Sequence, residues 1–208
     1  MPRLKLKVCG MRESANILGI GNMQPDFMGF IFYKESPRFV GVDFRIPDSL
    51  SKDIKRIGVF VNADFDETMA AVAKHKLDVV QLHGDETEDL CLKLKSKVQV
   101  VKAFAVDDTF DFDTIRSYET AVDYFLFDTK GAQRGGNGVA FNWQVLKKYK
   151  GDIPFFLSGG IDLDNLGGAI KINHPGLMAV DINSGIEIKP GLKDLNKFSK
   201  VKQLITSL

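Results

Sequence analysis

Short runs rich in apolar, β-branched and aromatic residues recur along this chain, each followed by a polar, helix-like stretch. The runs are Leu4–Cys9, Phe27–Tyr33, Arg56–Val61, Val79–Leu82, Val98–Phe104, Tyr124–Phe127, Pro154–Leu157 and Leu177–Ile182. The spacing predicts helices over Glu13–Leu18, Asp48–Asp53, Asp66–Lys74, Glu86–Lys95, Phe110–Ser117, Trp143–Lys148, Leu163–Ile172 and Leu192–Leu208. Asp64 and Asp85 are placed to cap two of them, and Asp85 leads an acidic first turn suited to the helix dipole. Strands alternating with helices imply a parallel sheet covered by helices, because each crossover must return over a face of the sheet. Eight such units are the number that closes a barrel. An open doubly wound sheet would carry a glycine-rich first turn, whereas the first turn here is Cys9-Gly10-Met11-Arg12. We therefore expect one α/β domain over residues 1–208, a single (β/α)8 TIM barrel with tight loops and short helices.

Charge changes the picture by what it removes. Lys and Arg number 28 against 27 Asp and Glu, a formal net charge of +1. That balance gives no electrostatic reason to expect nucleic acid or an anionic membrane as partner, so a bound anion must be held by local geometry. No apolar run approaches the roughly 20 residues of a membrane span. The opening Met1-Pro2-Arg3-Leu4-Lys5-Leu6-Lys7 lacks the continuous apolar centre of a signal peptide, so a cytoplasmic protein is expected. Cys9 and Cys91 are too few for a disulfide framework and are expected as thiols. His75, His83 and His174 are scattered, and neither a metal nor a cofactor is expected.

In such a barrel the chemistry sits on the loops after the strands, so the strand ends are the places to search. They fall at Cys9, Tyr33, Val61, His83, Phe104, Asp128, Ser158 and Asn183. The turns Leu157-Ser158-Gly159-Gly160-Ile161 and Asn183-Ser184-Gly185-Ile186 follow strands seven and eight, where barrels frequently bind phosphate. Glycine there lets backbone N–H groups approach an anion, although each could simply make a tight turn. Alternation puts Lys5, Lys7 and Cys9 on the lumen face of strand one, and a nearby ammonium should help the Cys9 thiol ionise; a filler side chain at the barrel top is the alternative. Cys91 is expected as a buried apolar filler. Asp128, after Phe125-Leu126-Phe127, should be poorly solvated and so suited to act as an acid; a helix cap or a partner for Lys130 is the alternative. Lys130–Gly138 is glycine-rich and polar enough for a lid loop. His83 is open between a substrate-side and a structural role, His75 and His174 are expected at the surface, and Lys102 is assigned to electrostatics or structure.

Six strings, in order and in register, carry a resemblance. They are Lys7-Val8-Cys9-Gly10-Met11-Arg12; Ser36-Pro37-Arg38; Gln81-Leu82-His83-Gly84; Phe127-Asp128-Thr129 with Gly135–Gly138 and Phe141-Asn142-Trp143; Leu157–Ile161; and Val180–Glu187 with Pro190-Gly191 and Lys193-Asp194. Together, from near residue 3 to near residue 200, they resemble the phosphoribosylanthranilate isomerase family. The resemblance implies a cofactor-free Amadori rearrangement of a phosphosugar in tryptophan biosynthesis, by a monomer or homodimer. It implies Cys9 as the general base that removes the sugar C2′ proton and Asp128 as the general acid at the ring oxygen. It further implies Arg38 on the anthranilate carboxylate, Gly159, Gly160, Ser184 and Gly185 on the phosphate, and His83 on the substrate side. Met11-Arg12 and Ile182-Asn183 depart from commoner family pairs, which leaves Arg12 either a helix-start cation or a ligand contact.

Overall fold

The structure is a computed structural model that describes residues 3–129 and 143–207. Lys130–Gly138, expected as a lid, lies outside the described residues. Eight parallel strands close into a barrel in chain order: β1 (Lys5–Val8), β2 (Phe27–Ile31), β3 (Lys55–Phe60), β4 (Val79–Leu82), β5 (Gln99–Val106), β6 (Tyr124–Thr129), β7 (Phe155–Ser158) and β8 (Leu177–Ile182). Strand β8 pairs back onto β1, with Lys7 beside Asp181. The expected (β/α)8 barrel is the observed one, and closure leaves it no sheet edge.

Alternation along each strand divides its side chains between two cores. Leu6, Val8, Phe125, Phe127, Phe155 and Leu157 join an outer cluster shared with the helices. Phe27, Ile57, Val79, Leu126, Phe156 and Ala179 form a separate cluster inside the barrel. There Phe156 stands edge-on to Phe27 at 5.1 Å and to Tyr124 at 5.8 Å. This close-packed plug fills the lower lumen and leaves the polar chemistry to the opposite mouth.

The covering layer is α1 (Ser14–Gly21), α2 (Phe65–His75), α3 (Glu88–Lys95), α4 (Leu166–Ile170), α5 (Leu195–Thr206) and two 3₁₀ helices, Phe112–Thr120 and Trp143–Lys148. Asp64 caps α2 by accepting from Glu67 N at 2.8 Å. For α3 the cap is Thr87 rather than Asp85, whose own N–H donates to Asn62 Oδ1 at 2.7 Å. The helix expected over Asp48–Asp53 does not form. Leu50 N donates to Pro47 O and Ile54 N to Ser51 O, which makes two separate turns. Ser51 Oγ takes the Asp53 N–H, the local competition by which serine discourages a helix. This irregular segment still covers the barrel, with Phe44 packed 5.5 Å from Phe30 of β2. After β8 the chain makes a small antiparallel hairpin, β9 (Glu187–Lys189) with β10 (Leu192–Lys193), before Asp194 caps α5. His75 is not a surface residue: it is buried on the inner side of α2, with ring contacts to Phe32 and Phe44 at 5.0 and 5.7 Å. His174 is half-buried, its Nε2 at 3.1 Å from Tyr149 O.

Candidate active site

At the C-terminal mouth a cavity of about 210 Å³ is lined by Cys9, His83, Asp128, Gly159, Gly160 and Ser184, together with Gln81, Asp181 and Asn183. The plug explains its depth. On β4, β6, β7 and β8 the plug residue lies two positions before a cavity residue: Val79 before Gln81, Leu126 before Asp128, Phe156 before Ser158, Ala179 before Asp181.

Cys9 is 4 % exposed and follows β1 directly. Its neighbour on β2 is Gly29, where a Cβ would stand 2.8 Å from Cys9 Sγ and 3.2 Å from Cys9 Cα. A glycine is required there for the thiol to sit in the wall at all. Below it the fully buried Lys7 donates to Asp181 Oδ2 at 2.6 Å and Gln81 Oε1 at 2.5 Å. Burial opposes the Lys7 charge, but Asp181 and Cys9 outweigh it and push the ammonium's pKa up. Burial pushes the Cys9 thiol up as well, Asp181 adds to it, and the pull of Lys7 and Lys193 does not overcome them. The expected easier ionisation of Cys9 is therefore not found, because burial of the thiol outweighs the pull of Lys7. The Asp181 carboxyl is itself raised by burial, against Lys7. Its Oδ1 is buried with no hydrogen-bond partner among the described residues, so a ligand hydroxyl could satisfy it.

Asp128 sits within β6 with its side chain 38 % exposed, so the poor solvation expected of it is absent. Its Oδ2 is 3.3 Å from His83 Nε2, and His83 Nδ1 is 2.8 Å from Gln81 Nε2. His83 thus contacts the proposed acid directly. The glycine turns arrive as expected. Gly159 and Gly160 take positive φ of 104° and 61°, and nothing lies within 4 Å of a Cβ placed on Gly160. Gly185 is not on the cavity wall. A Cβ there would meet Ile161 O at 2.2 Å, so Gly185 lets the loop after β8 press against the loop after β7.

Arg38 reaches the rim of the mouth from the loop after β2. Its Nε and Nη2 donate to Glu187 Oε1 and Oε2 at 2.9 and 2.6 Å, so its ion partner is Glu187. Glu187 also accepts from Lys193 Nζ at 2.7 Å and Gly191 N at 3.0 Å. Burial works against this carboxylate, yet Arg38, Lys193 and the Gly191 N–H hold its pKa at about 2. Lys193 is buried deeply enough that its pKa falls despite Glu187. Arg12 contacts Pro37 O at 3.4 Å and so braces the loop that carries Arg38. Lys102 belongs to the scaffold. It is buried against Gly84 O at 2.7 Å and Glu86 Oε2 at 3.1 Å, and Glu86 Oε1 accepts the Asn62 and Gly84 N–H groups. Cys91 is fully buried, which pushes its thiol up to about 11. Among the described residues no group of three His, Cys, Asp or Glu side chains is arranged to hold a metal ion.

Sequence reasoning left Gln81, Asp181, Asn183, Glu187 and Lys193 without roles. Strand alternation was the available signal for the first three, since each shares a lumen face with a candidate already chosen or with Ala179.

A closed barrel with a polar cavity at the C-terminal ends of its strands places the chain among the (β/α)8-barrel enzymes. The family profile described as N-(5'phosphoribosyl)anthranilate (PRA) isomerase matches residues 6–204. The N-(5'-phosphoribosyl)anthranilate isomerase of Parabacteroides distasonis is 43% identical over 204 residues, covering 96% of this chain and 92% of that one. The crystal structure of phosphoribosyl anthranilate isomerase from Thermotoga maritima superposes with a TM-score of 0.83 at 29% identity, covering 99% of this chain and 100% of that one. Another, in complex with reduced 1-(o-carboxyphenylamino)-1-deoxyribulose 5-phosphate, gives 0.80 at 27% identity over 99% and 100% of the two chains. The chain belongs to the phosphoribosylanthranilate isomerase family.

Proposed function

We propose that this chain isomerises N-(5'-phosphoribosyl)anthranilate at the mouth cavity, with Cys9 as general base and Asp128 as general acid. The observation that carries the assignment is that the thiol, the carboxyl and the glycine turns line the same 210 Å³ cavity. The chemistry balances with those groups alone. The Asp128 carboxyl gives its proton to the ring oxygen as the anomeric C–O bond breaks and the nitrogen lone pair forms C=N⁺. The Cys9 thiolate takes the C2′ proton, the C–H pair becomes the C1′=C2′ bond, and the C=N pair returns to nitrogen. The resulting enaminol becomes the ketone as O2′ loses a proton and C1′ gains one. The product is 1-(2-carboxyphenylamino)-1-deoxyribulose 5-phosphate, an intermediate of tryptophan biosynthesis, and no cofactor enters. Because burial raises the Cys9 pKa, the thiolate is a minor form and a strong base once formed.

Gly159, Gly160 and Ser184 are assigned to the phosphate, with Gly185 holding their two loops together. Arg38 is assigned to the anthranilate carboxylate. Glu187 uses the Nε–Nη2 edge of its guanidinium, and the Nη1–Nη2 edge can make the same two-pronged contact to a second carboxylate. We further take the chain as a single-domain, cytoplasmic enzyme, monomeric or homodimeric. No helix among the described residues is long and apolar enough to cross a membrane. Cys9→Ala and Asp128→Asn should each lower kcat by roughly 10²-fold or more with little change in KM. Near wild-type kcat in either variant, followed by loss of anthranilate fluorescence, would remove that residue from the mechanism.

A further inference from the structure

A continuous polar chain crosses the barrel just above the plug. Asp181 Oδ2 meets Lys7 Nζ at 2.6 Å, Lys7 Nζ meets Gln81 Oε1 at 2.5 Å, Gln81 Nε2 meets His83 Nδ1 at 2.8 Å, and His83 Nε2 meets Asp128 Oδ2 at 3.3 Å. Lys7, Gln81 and Asp181 are 0, 2 and 5 % exposed, so water does not compete for the inner links.

The chain has a fixed polarity, and the Lys7 ammonium sets it. An ammonium has three donors and no acceptor, so it can face only the oxygen of the Gln81 amide. The amide nitrogen must then face His83, and it carries only donors. His83 Nδ1 must accept, which requires that it bear no proton. The neutral ring therefore holds its proton on Nε2, which lies 3.3 Å from Asp128 Oδ2. We propose that Gln81 is a positioning residue that, anchored by Lys7, locks His83 in its Nε2–H tautomer and so keeps Asp128 competent as a proton donor.

Two consequences give the lock a use. In the opposite tautomer the Nε2 lone pair would face Asp128 and could take the proton meant for the substrate, leaving an imidazolium beside a spent carboxylate. With Nε2 already protonated, that transfer is closed. The Nε2–H also faces Asp128 Oδ2 at 3.3 Å, which favours the carboxyl proton on Oδ1, where it is available to a bound molecule. The same donor stabilises the carboxylate formed after transfer. Among the described residues, the charged and titratable groups around the ring are Asp128 on β6, Asp181 on β8, and Lys7 and Cys9 on the β1 side. Among the described residues Lys7 is the cation of this set, and it reaches His83 through Gln81.

The catalytic half of this inference rests on Asp128 acting as the acid, and the tautomer half does not. Protein labelled with ¹⁵N-histidine separates them, with the His83 signals assigned by their loss in His83→Asn. In the wild type at neutral pH, Nδ1 should show the shift of an unprotonated nitrogen and Nε2 that of a protonated one. A protonated His83 Nδ1 would overturn the proposal whatever the activity. Gln81→Glu keeps the shape and the contact to Lys7 but presents an acceptor to Nδ1, so that nitrogen should gain a proton. Its kcat should then fall by on the order of 10², with KM little changed. Gln81→Met removes the constraint without adding charge, and should give mixed tautomers and a smaller loss. Unchanged kcat in Gln81→Glu, with Nδ1 protonated, would refute the link to Asp128. A fully active Asp128→Asn would instead sink the acid assignment and leave the tautomer result standing.

Discussion

Removing the charge of Glu187 should change how the protein responds to acid. Its carboxylate accepts from Arg38 Nε and Nη2, Lys193 Nζ and Gly191 N, and its side chain is only 6 % exposed. Burial alone would raise its pKa, but these donors take it from 4.5 to about 2. At about 1.4 kcal/mol per pH unit, that fall corresponds to about 3.5 kcal/mol of stability as an upper limit. Because the folded value lies below the unfolded one, the stabilisation is complete above about pH 4.5 and is lost as pH falls towards 2. Glu187→Gln keeps the shape and an acceptor oxygen and cannot titrate. It should be less stable than wild type near neutrality by roughly 1.5–3 kcal/mol, the scale of one charge-assisted contact. The gap should then narrow as pH falls below about 4.5 and close as it approaches 2, where wild type loses its advantage. Urea unfolding followed by circular dichroism across that range measures both curves. Two curves that stay parallel down to about pH 3 would refute the idea that the Arg38–Glu187–Lys193 cluster holds the rim.

Arg38→Ala should raise KM about tenfold to a hundredfold while kcat changes less, because it deletes a charge-assisted contact to the substrate carboxylate. An unchanged KM with an intact fold would move the carboxylate site elsewhere, and Arg12 would be the next variant to measure. A thiol-alkylating reagent should inactivate through Cys9, slowly at neutral pH and faster as pH rises, because burial raises that thiol. Cys91, fully buried and pushed up to about 11, should stay unlabelled, and peptide mass spectrometry in which inactivation tracked Cys91 would reverse the assignment.

The barrel could be read from the sequence because its signal is local. Val79–Leu82 and Leu177–Ile182 are apolar runs of strand length with flanking polar residues, and both form at the expected bounds. Helices were less secure where the outer layer did not need one. Ser51 and Pro47 turn the segment after β2 away from a helix, and Phe44, Ile46, Leu50 and Ile54 bury their side chains from irregular backbone instead. An apolar spacing that suits burial does not say which backbone delivers it. The same ambiguity explains Leu192, which begins a hairpin strand in a stretch read as helix.

The site divides along a different line. Residues at strand ends could be found because the barrel rule converts chain position into location, and Cys9, His83, Asp128, Gly159, Gly160 and Ser184 do meet around one cavity. What could not be found is any property that depends on a partner distant in sequence. Arg38 and Glu187 are 149 positions apart, and Lys7 and Asp181 are 174 apart. The failed expectation for Cys9 has the same origin. From β1 alone, Lys7 is a cation near a thiol and should help it ionise. In the folded wall, burial of the thiol outweighs that pull, and β8 adds the Asp181 charge against ionisation. The ammonium then serves better as a fixed donor than as a field on the thiol. Its contact to Gln81 is the step that carries its polarity to His83 and Asp128 on the far side of the cavity.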